Sequence, residues 1–128
     1  MSNLNTLKNL ISLLEDSKES ATPENNSNSI NDLFLDEYVI VRTYSAGVVA
    51  GILKRKVGNE VELHNARRIW YWRGAASLSQ LAQDGTSCPK ECQFPEEVDK
   101  VLLIGVIEIL KVTDKARQSI KEVPVWKK

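Results

Sequence analysis

Near the start of the chain, large aliphatic residues recur at the spacing of an α-helix. Successive members of this stripe are separated by three or four positions, which places them on one helix face. They are Leu4, Leu7, Ile11 and Leu14. A helix of about four turns is only marginally stable alone. We therefore expect residues 1–16 to form an amphipathic helix that docks on the rest of the chain, on a second copy or on a partner, and we assign the stripe to homo-oligomerisation. Residues 17–35, rich in Ser, Asn and Glu, predict a flexible linker.

From residue 36 onwards the apolar pattern takes the period of β-strands. Tyr38–Tyr44 is largely β-branched and aromatic, and Val48–Lys56 follows after a short turn containing glycine. Glu60–Asn65 alternates acidic and apolar residues, and Arg67–Arg73 predicts a fourth strand. Short turns join these four strands, so the sequence predicts an antiparallel meander.

The rest of residues 36–128 predicts two short helices and one more strand. Ser77 caps a helix that ends at Gly85, and a second short helix begins after Thr113. Val101–Val112 is almost continuously apolar and predicts one buried strand with a bulge or kink at Gly105. The expected fold is α+β and mostly β. It is a single domain, a small antiparallel meander or partly open barrel with one or two short helices, preceded by the tethered N-terminal helix.

The charges are balanced overall but unevenly distributed. Seventeen basic and seventeen acidic residues give a net charge of zero, which argues against a nucleic-acid coat or a membrane-surface protein. Residues 1–36 carry two bases and six acids, a net charge of −4, and residues 37–128 carry fifteen bases and eleven acids, a net charge of +4. No signal peptide and no apolar run of about 20 residues is present. With two cysteines in the chain, we expect a reducing, cytoplasmic location, with a virion as the alternative.

The densest cluster of chemistry-bearing side chains is Arg67–Arg73, with three arginines and three large aromatic residues in seven positions. Such mixtures are typical of surfaces that stack on flat rings and neutralise negative charge. Alternate side chains of a strand share a face, so each face of the predicted strand would carry an arginine. Two interpretations stay open. Either the tryptophans are core and the arginines cover its rim, or one face is a binding platform for an anionic ring.

The turn after this run adds a second candidate feature. Small residues from Gly74 lead into the helix that begins near Ser77, and a helix start offers free N–H groups to an anion. The alternative is an ordinary capped helix. The predicted ligand-binding residues are Arg42, Tyr44, Arg67, Arg68, Trp70, Tyr71, Trp72, Arg73, Gly74 and Ser77.

Metal binding and catalysis are not expected. Cys88, Cys92 and the single His64 supply at most three soft ligands, without the paired spacing of zinc sites. The two cysteines form either a local disulfide or two free thiols. No nucleophile elbow surrounds Ser77 or Ser79, and one histidine leaves few ways to build acid–base catalysis. We expect a protein that is not an enzyme and has no cofactor.

Four segments of residues 36–128 have a distinctive sequence, which includes an Arg- and Trp-rich run. They are Tyr38–Val48, Asn65–Trp72, Gly74–Ala82 and Ser119–Val123. On these segments, residues 37–127 resemble a family of small proteins of unknown function found mainly in bacteriophages and prophages. The resemblance implies a phage context of short accessory proteins that bind something, often as oligomers. Such proteins sequester nucleotide immune signals, cap host proteins or build virions. The resemblance assigns no site residue.

Two function classes follow from these observations. The first is a non-enzymatic phage accessory protein that binds a small anionic, nucleotide-like ligand through the Arg/Trp run. The second is a structural or host-protein-binding module that uses the same run as an assembly surface, because Trp, Tyr and Arg are common anchors of protein interfaces. In both classes we expect a homo-oligomer without membrane contact, and we do not expect a long nucleic acid as partner.

Overall fold

The computed structural model describes residues 29–128. Residues up to Leu33 belong to a separate unit from residues 34–128. In the described part of the first unit, Ile30–Asp32 forms one short 3-10 turn, capped by a 3.1 Å hydrogen bond from Asn31 N to Ser29 Oγ. The predicted helix over residues 1–16, with its Leu4, Leu7, Ile11 and Leu14 stripe, and the linker up to residue 28 lie outside the described residues.

Residues 34–128 form a mostly β fold with an open, five-stranded antiparallel sheet and two short helices, as the sequence predicts. The strands are β1 (Tyr38–Thr43), β2 (Val48–Val57), β3 (Glu60–Arg68), β4 (Val98–Ile104) and β5 (Val106–Lys111). Their order across the sheet is β4-β3-β2-β1-β5. The first three strands are joined by short turns, so they form the expected meander, and β4 and β5 occupy the two edges.

Two strand predictions are wrong. Arg67–Arg73 is not a fourth strand, because β3 continues through Asn65 to Arg68 and the chain then leaves the sheet. Asn65 adopts the left-handed conformation, with φ 51°, and so introduces an irregularity without ending the strand. The predicted strand Val101–Val112 is divided at Gly105, whose φ of 81° suits glycine. Its two halves are β4 and β5, at opposite edges of the sheet.

The sheet is strongly curled, because one residue connects its two edges. Tyr44 N donates to Gly105 O at 2.8 Å, and Val106 N donates to Asn59 O at 2.9 Å. Gly105 and Val106 are thus hydrogen-bonded to both hairpin turns, which lie at opposite ends of β2. The ten residues of β2 would span about 33 Å if straight, so the strand must bend. The β2–β3 register shifts twice, and such bulges bend a strand. Gly51 lies at the first shift, where a Cβ would lie 3.0 Å from His64 O.

Alternate residues of the strands pack into two separate clusters, one on each side of the sheet. The helix-side core contains Tyr38, Ile40, Ala50, Ile69, Leu81, Ala82, Cys92, Phe94, Val112, Ala116, Ile120 and Val123. The opposite core contains Val39, Val41, Val49, Leu53, Val61, Leu63, Ala66 and Leu103. The near-uniform burial of β1 follows, because its two faces contribute to different cores.

The two helices cover the helix-side core and begin at the predicted caps. Helix α1 (Leu78–Asp84) starts with Ser77 Oγ accepting from Gln80 N at 3.1 Å, and it ends at Gly85. Helix α2 (Asp114–Glu122) starts with Thr113 Oγ1 accepting from Ala116 N at 3.1 Å. No helix among residues 29–128 is long and apolar enough to cross a membrane.

Candidate functional site

Arg67, at the end of β3, is a buried arginine that holds three segments of backbone together. Its side chain donates to Pro95 O at 3.1 Å, to Ile120 O at 2.8 Å and to Phe94 O at 3.2 Å. The guanidinium also lies 5.5 Å from the centroid of the Phe94 ring. Burial lowers the pKa of Arg67, and the carbonyl partners offset part of the cost of burying its charge. Arg67 therefore has a structural role in this domain.

Two other predicted ligand-binding arginines also bind groups of the protein itself. Arg42 forms an ion pair with Glu108 on β5, with Nε 2.9 Å from Oε1. The guanidinium of Arg68 donates to Ala46 O in the turn between β1 and β2. Tyr44, in the same turn, is 85% exposed. The structure therefore does not gather these side chains with the aromatic run into one platform.

The aromatic run itself is divided between core and surface. Trp72 is half-buried against the helix-side core, and its indole N–H donates to Ala75 O at 3.2 Å. Trp70 and Tyr71 are 64% and 42% exposed. Hydrogen bonding to Tyr71 raises the pKa of Arg73, whose Nε lies 3.8 Å from Glu91 Oε1. Tyr71 and Arg73 are thus the pair of predicted residues that the structure brings together on the surface.

A small ladder of backbone hydrogen bonds connects Tyr71 to the end of the chain. Tyr71 and Gln93 exchange hydrogen bonds of 3.2 and 2.8 Å, and Trp126 N donates to Phe94 O at 3.0 Å. Phe94 is buried in the helix-side core, so its neighbour Gln93 faces outward by strand alternation. Tyr71 pairs with Gln93, and Trp126 follows Val125, the bridge partner of Phe94. Tyr71 and Trp126 are both partly exposed and both bonded to the Gln93–Phe94 segment, and we call this pair the aromatic surface.

The turn at Gly74 and the start of α1 are tightly bonded. Gly74 O accepts from Ser87 N at 3.2 Å, and a Cβ on Gly74 would lie 2.5 Å from Cys88 N. Ser77 Oγ caps the helix, and the Gln80 side chain accepts from Ala76 N at 2.7 Å. Anion binding at this helix start remains a prediction, since these bonds already engage part of the turn.

The two cysteines lie in the loop that follows α1. Cys88 and Cys92 are free thiols, and Cys92 is buried with its Sγ 3.4 Å from Arg73 O. Among residues 29–128, no group of three or more His, Cys, Asp or Glu side chains could hold a metal ion.

A concave site that the sequence analysis did not single out lies at the end of the helix-side core. It is a groove of about 240 Å³ lined by Tyr38, Arg67, Glu97, Lys121 and Val125. We call it the Tyr38 groove. Strands β1 and β3 supply the tyrosine and the arginine, and the end of α2 supplies the lysine. The groove is therefore built on rigid elements.

The phenol of Tyr38 is almost fully buried, yet it lacks a hydrogen-bond partner. The residue is 7% exposed, and its hydroxyl forms no hydrogen bond within residues 29–128. Within residues 29–128, every side-chain N or O atom that is fully shielded from solvent has a hydrogen-bond partner. The unpartnered hydroxyl of Tyr38 is therefore accessible to solvent, and it opens onto the groove that the residue lines. Burial and the charge of Glu97 raise the pKa of Tyr38 to about 12. Tyr38 is thus a neutral hydrogen-bond donor at physiological pH.

The charges at the Tyr38 groove favour an anion. Arg67 and Lys121 contribute two positive charges and Glu97 one negative charge. Glu97 accepts a hydrogen bond from Asn65 Nδ2 at 3.4 Å. In the described part of the chain, Arg67 has backbone carbonyls but no carboxylate within ion-pair distance. The guanidinium of Arg117 adds positive charge behind the tyrosine, 4.8 Å from its ring centroid.

The chain matches a known protein family. A family model described as a domain of unknown function, DUF6948, matches residues 36–120. The chain belongs to the DUF6948 family. Searches of curated proteins and of solved structures found no significant match. The DUF6948 match includes Tyr38, Arg67 and Glu97 and ends just before Lys121 and Val125.

Among the predicted ligand-binding residues of this DUF6948 member, Arg67 alone lines the Tyr38 groove. Sequence reasoning missed Tyr38, Glu97, Lys121 and Val125, because they come from three distant segments and share no spacing motif. One signal was available. Tyr38 opens a strand whose next three residues are aliphatic, and a tyrosine in a core strand normally directs its hydroxyl to a partner or to solvent.

Proposed function

We propose that this DUF6948 protein is a non-catalytic ligand-binding protein whose Tyr38 groove takes the anionic group of a small, ring-bearing molecule. The observation that carries the proposal is the unpartnered hydroxyl of Tyr38 beside the buried Arg67 guanidinium. Because the hydroxyl is accessible to solvent in the groove, its O–H is available to donate to a ligand, and hydrogen bonds to ionised acceptors are shorter and stronger than neutral ones. A phosphate or carboxylate oxygen would be such an acceptor.

The groove side chains suit that chemistry. The phenol O–H of Tyr38 is a donor, and Lys121 is an exposed point charge. Hydrogen bonds to an ionised acceptor are stronger than neutral ones. Val125 supplies an apolar wall, and the partly exposed Trp126 follows it directly. A flat ring attached to the anion would contact Val125, the apolar side chain that lines the groove beside Tyr38.

The size of the groove bears on the class of ligand. Its volume of about 240 Å³ is below the roughly 300–1,000 Å³ usual for drug-sized ligands. We therefore propose that it takes one anionic group and part of a ring, as in a mononucleotide or a small cyclic nucleotide. In a phage context, which the sequence resemblance suggests, such a protein would sequester a nucleotide signal in the host cytoplasm.

A thermal-shift screen of the full chain against linear and cyclic nucleotides tests the proposal, with inorganic phosphate as the anion-only probe. A ligand raises the melting temperature by binding the native state. Absorbance at 260 nm that is lost on unfolding would reveal a co-purified nucleotide. Tyr38→Phe and Lys121→Ala should weaken binding, whereas the matched surface variants Tyr44→Phe and Lys127→Ala should not. Binding that is unchanged in Tyr38→Phe, or absent for every probe, would contradict the proposal.

A second candidate function rests on the aromatic surface. Tyr71 and Trp126, both bonded to the Gln93–Phe94 segment, are 42% and 45% exposed, and Trp70, next to Tyr71 in sequence, is 64% exposed. Exposed aromatic side chains of this kind anchor protein interfaces. Under this alternative the protein is a structural or host-protein-binding module of a phage. Trp126→Ala would then abolish partner binding while nucleotide binding is absent from the start.

A further inference from the structure

The β4 edge of the sheet carries an apolar surface on its outer side. Strand β4 pairs with β3 and has no other neighbour within residues 29–128. Its outward side chains include Leu102 and Ile104, each 60% exposed, and Val98, 49% exposed. An edge strand with free backbone N–H and C=O groups is a template for another strand. Val98–Ile104 contains no proline, and its outward charge is Lys100.

The outer face continues from β4 onto β3 and β2 in register. Ile104 lies beside Glu60, which lies beside Val57, and Leu102 lies beside Glu62. Val57 is 67% exposed. We call this surface the β4 face. It combines an unpaired backbone edge with the adjacent apolar side chains of Leu102 and Ile104, while Lys100 separates them from Val98 and Glu60 separates Ile104 from Val57.

Two charges on the β4 face are left without ion pairs. Glu62 is engaged twice, by Arg55 at 3.3 Å and by His64 at 2.6 Å. The hydrogen bond to His64 lowers the pKa of Glu62. Lys100, on β4, and Glu60, on β3, form no ion pair within the described part of the chain, although the charge of Lys100 contributes to the lowered pKa of Glu62. Lys100 is positively charged and Glu60 negatively charged, and they lie at different positions along the strands of the same face.

We propose that the β4 face binds the β4 face of a second copy of this chain, with the two β4 strands antiparallel and Leu102 at the two-fold axis. In that register Leu102 lies opposite Leu102 of the other copy, and Lys100 lies opposite Ile104. Since Glu60 is next to Ile104 on the far side, Lys100 of each copy reaches across toward the unpaired Glu60 of the other. The arrangement is isologous, as in most dimers of identical chains.

Self-complementarity favours a second copy over an unrelated strand. Lys100 and Glu60 are the charges of the face that form no ion pair within the described residues, and the two-fold pairing places each near its opposite in the other copy. A register centred one residue earlier would place Lys100 opposite Leu102, next to Glu62, which already has two partners. The paired edges would join the two sheets into one of ten strands and bring Leu102 of the two copies into contact at the two-fold axis.

Sedimentation of the full-length protein over a dilution series tests the proposal. Leu102→Lys should raise the dissociation constant of the dimer about tenfold or more. The control Ile107→Lys, on the opposite edge strand and 53% exposed, should leave it unchanged. Lys100→Glu and Glu60→Lys should each raise it about two- to fivefold, and the double variant should recover much of the loss. Circular dichroism shows whether each variant is folded.

Crosslinking reads the register directly and is independent of overall mass. In a Cys88→Ser, Cys92→Ser background, Leu102→Cys should give a covalent dimer under mild oxidation, because directly opposed residues bring their Cβ atoms within about 4.5–5.5 Å. Ile107→Cys should not. A wild-type protein that sediments as a single chain at every concentration overturns the proposal. Equal effects of Leu102→Lys and Ile107→Lys, or equal crosslinking at both positions, overturn it as well.

Discussion

Replacing Arg67 by methionine tests whether this arginine stabilises the fold or serves mainly to bind a ligand. The substitution keeps an unbranched apolar stem but removes three hydrogen bonds to backbone carbonyls. Two of those carbonyls keep another donor, since Trp126 N bonds Phe94 O at 3.0 Å and Val123 N bonds Ile120 O at 3.2 Å. Pro95 O loses the donor that the structure shows for it.

The expected loss of stability follows from the fact that Pro95 O loses its donor, whereas the other two carbonyls each keep one. An orphaned carbonyl costs about 1–3 kcal/mol, and a hydrogen bond from a charged donor contributes about 1.5–3 kcal/mol. Removing a buried charge also recovers part of its desolvation cost. We therefore expect Arg67→Met to lower the free energy of unfolding by about 2–4 kcal/mol. Arg67→Lys should do no better, because one ammonium group cannot reproduce the planar fork of the guanidinium.

Arg68→Met is the matched control, because its half-buried side chain makes one hydrogen bond, to Ala46 O. It should cost less than about 1 kcal/mol. Urea unfolding followed by tryptophan fluorescence, with linear extrapolation, measures all three variants. An Arg67→Met protein within about 1 kcal/mol of wild type, or no less stable than Arg68→Met, would refute the structural role of Arg67.

Three further predictions concern other parts of the domain. Because the pKa of Tyr38 is raised to about 12, the folded state keeps a proton that the unfolded chain releases near its ordinary pKa of 10.0. Stability should therefore fall by about 2 kcal/mol as pH rises from 10 to 12, less so in Tyr38→Phe, as urea midpoints and a 295 nm titration would show. Gly74→Ala forces a Cβ to within 2.5 Å of Cys88 N and Thr86 Oγ1 at a φ of 87°. It should cost about 3 kcal/mol or more, and an unshifted thermal midpoint would contradict this. Replacing Cys88 and Cys92 together by serine should cost about 1 kcal/mol, and elemental analysis should find no stoichiometric zinc in the wild type; one zinc per chain would overturn the expectation.

Features that depend on neighbouring residues could be predicted from the sequence. Both helices begin at the predicted caps, Ser77 and Thr113, because capping is a bond between residues three apart. The first two hairpins were also predictable, since β-branched runs interrupted by glycine-containing turns leave few other choices.

Features set by distant contacts were not predictable. Asn65 resembles a turn residue, yet β3 continues through it because β2 and β4 flank it on both sides. Arg67 resembles a surface arginine, and only the carbonyls of distant segments such as Phe94 and Ile120 explain its burial. The Tyr38 groove is assembled in the same way, so spacing along the chain could not reveal it.

The single-residue connection at Gly105 has a consequence for the order of folding. Strands β1 to β3 form by local contacts, which close short loops and are fast. The segment from Val98 to Lys111 must then pair with both β3 and β1, and Gly105 is the single residue between its two halves, β4 and β5. We expect the two halves to add to the sheet in one late, concerted step. Strands β1 to β3 without β4 and β5 would have both edges unpaired, so we expect a chain truncated before β4 to aggregate more readily than the full chain.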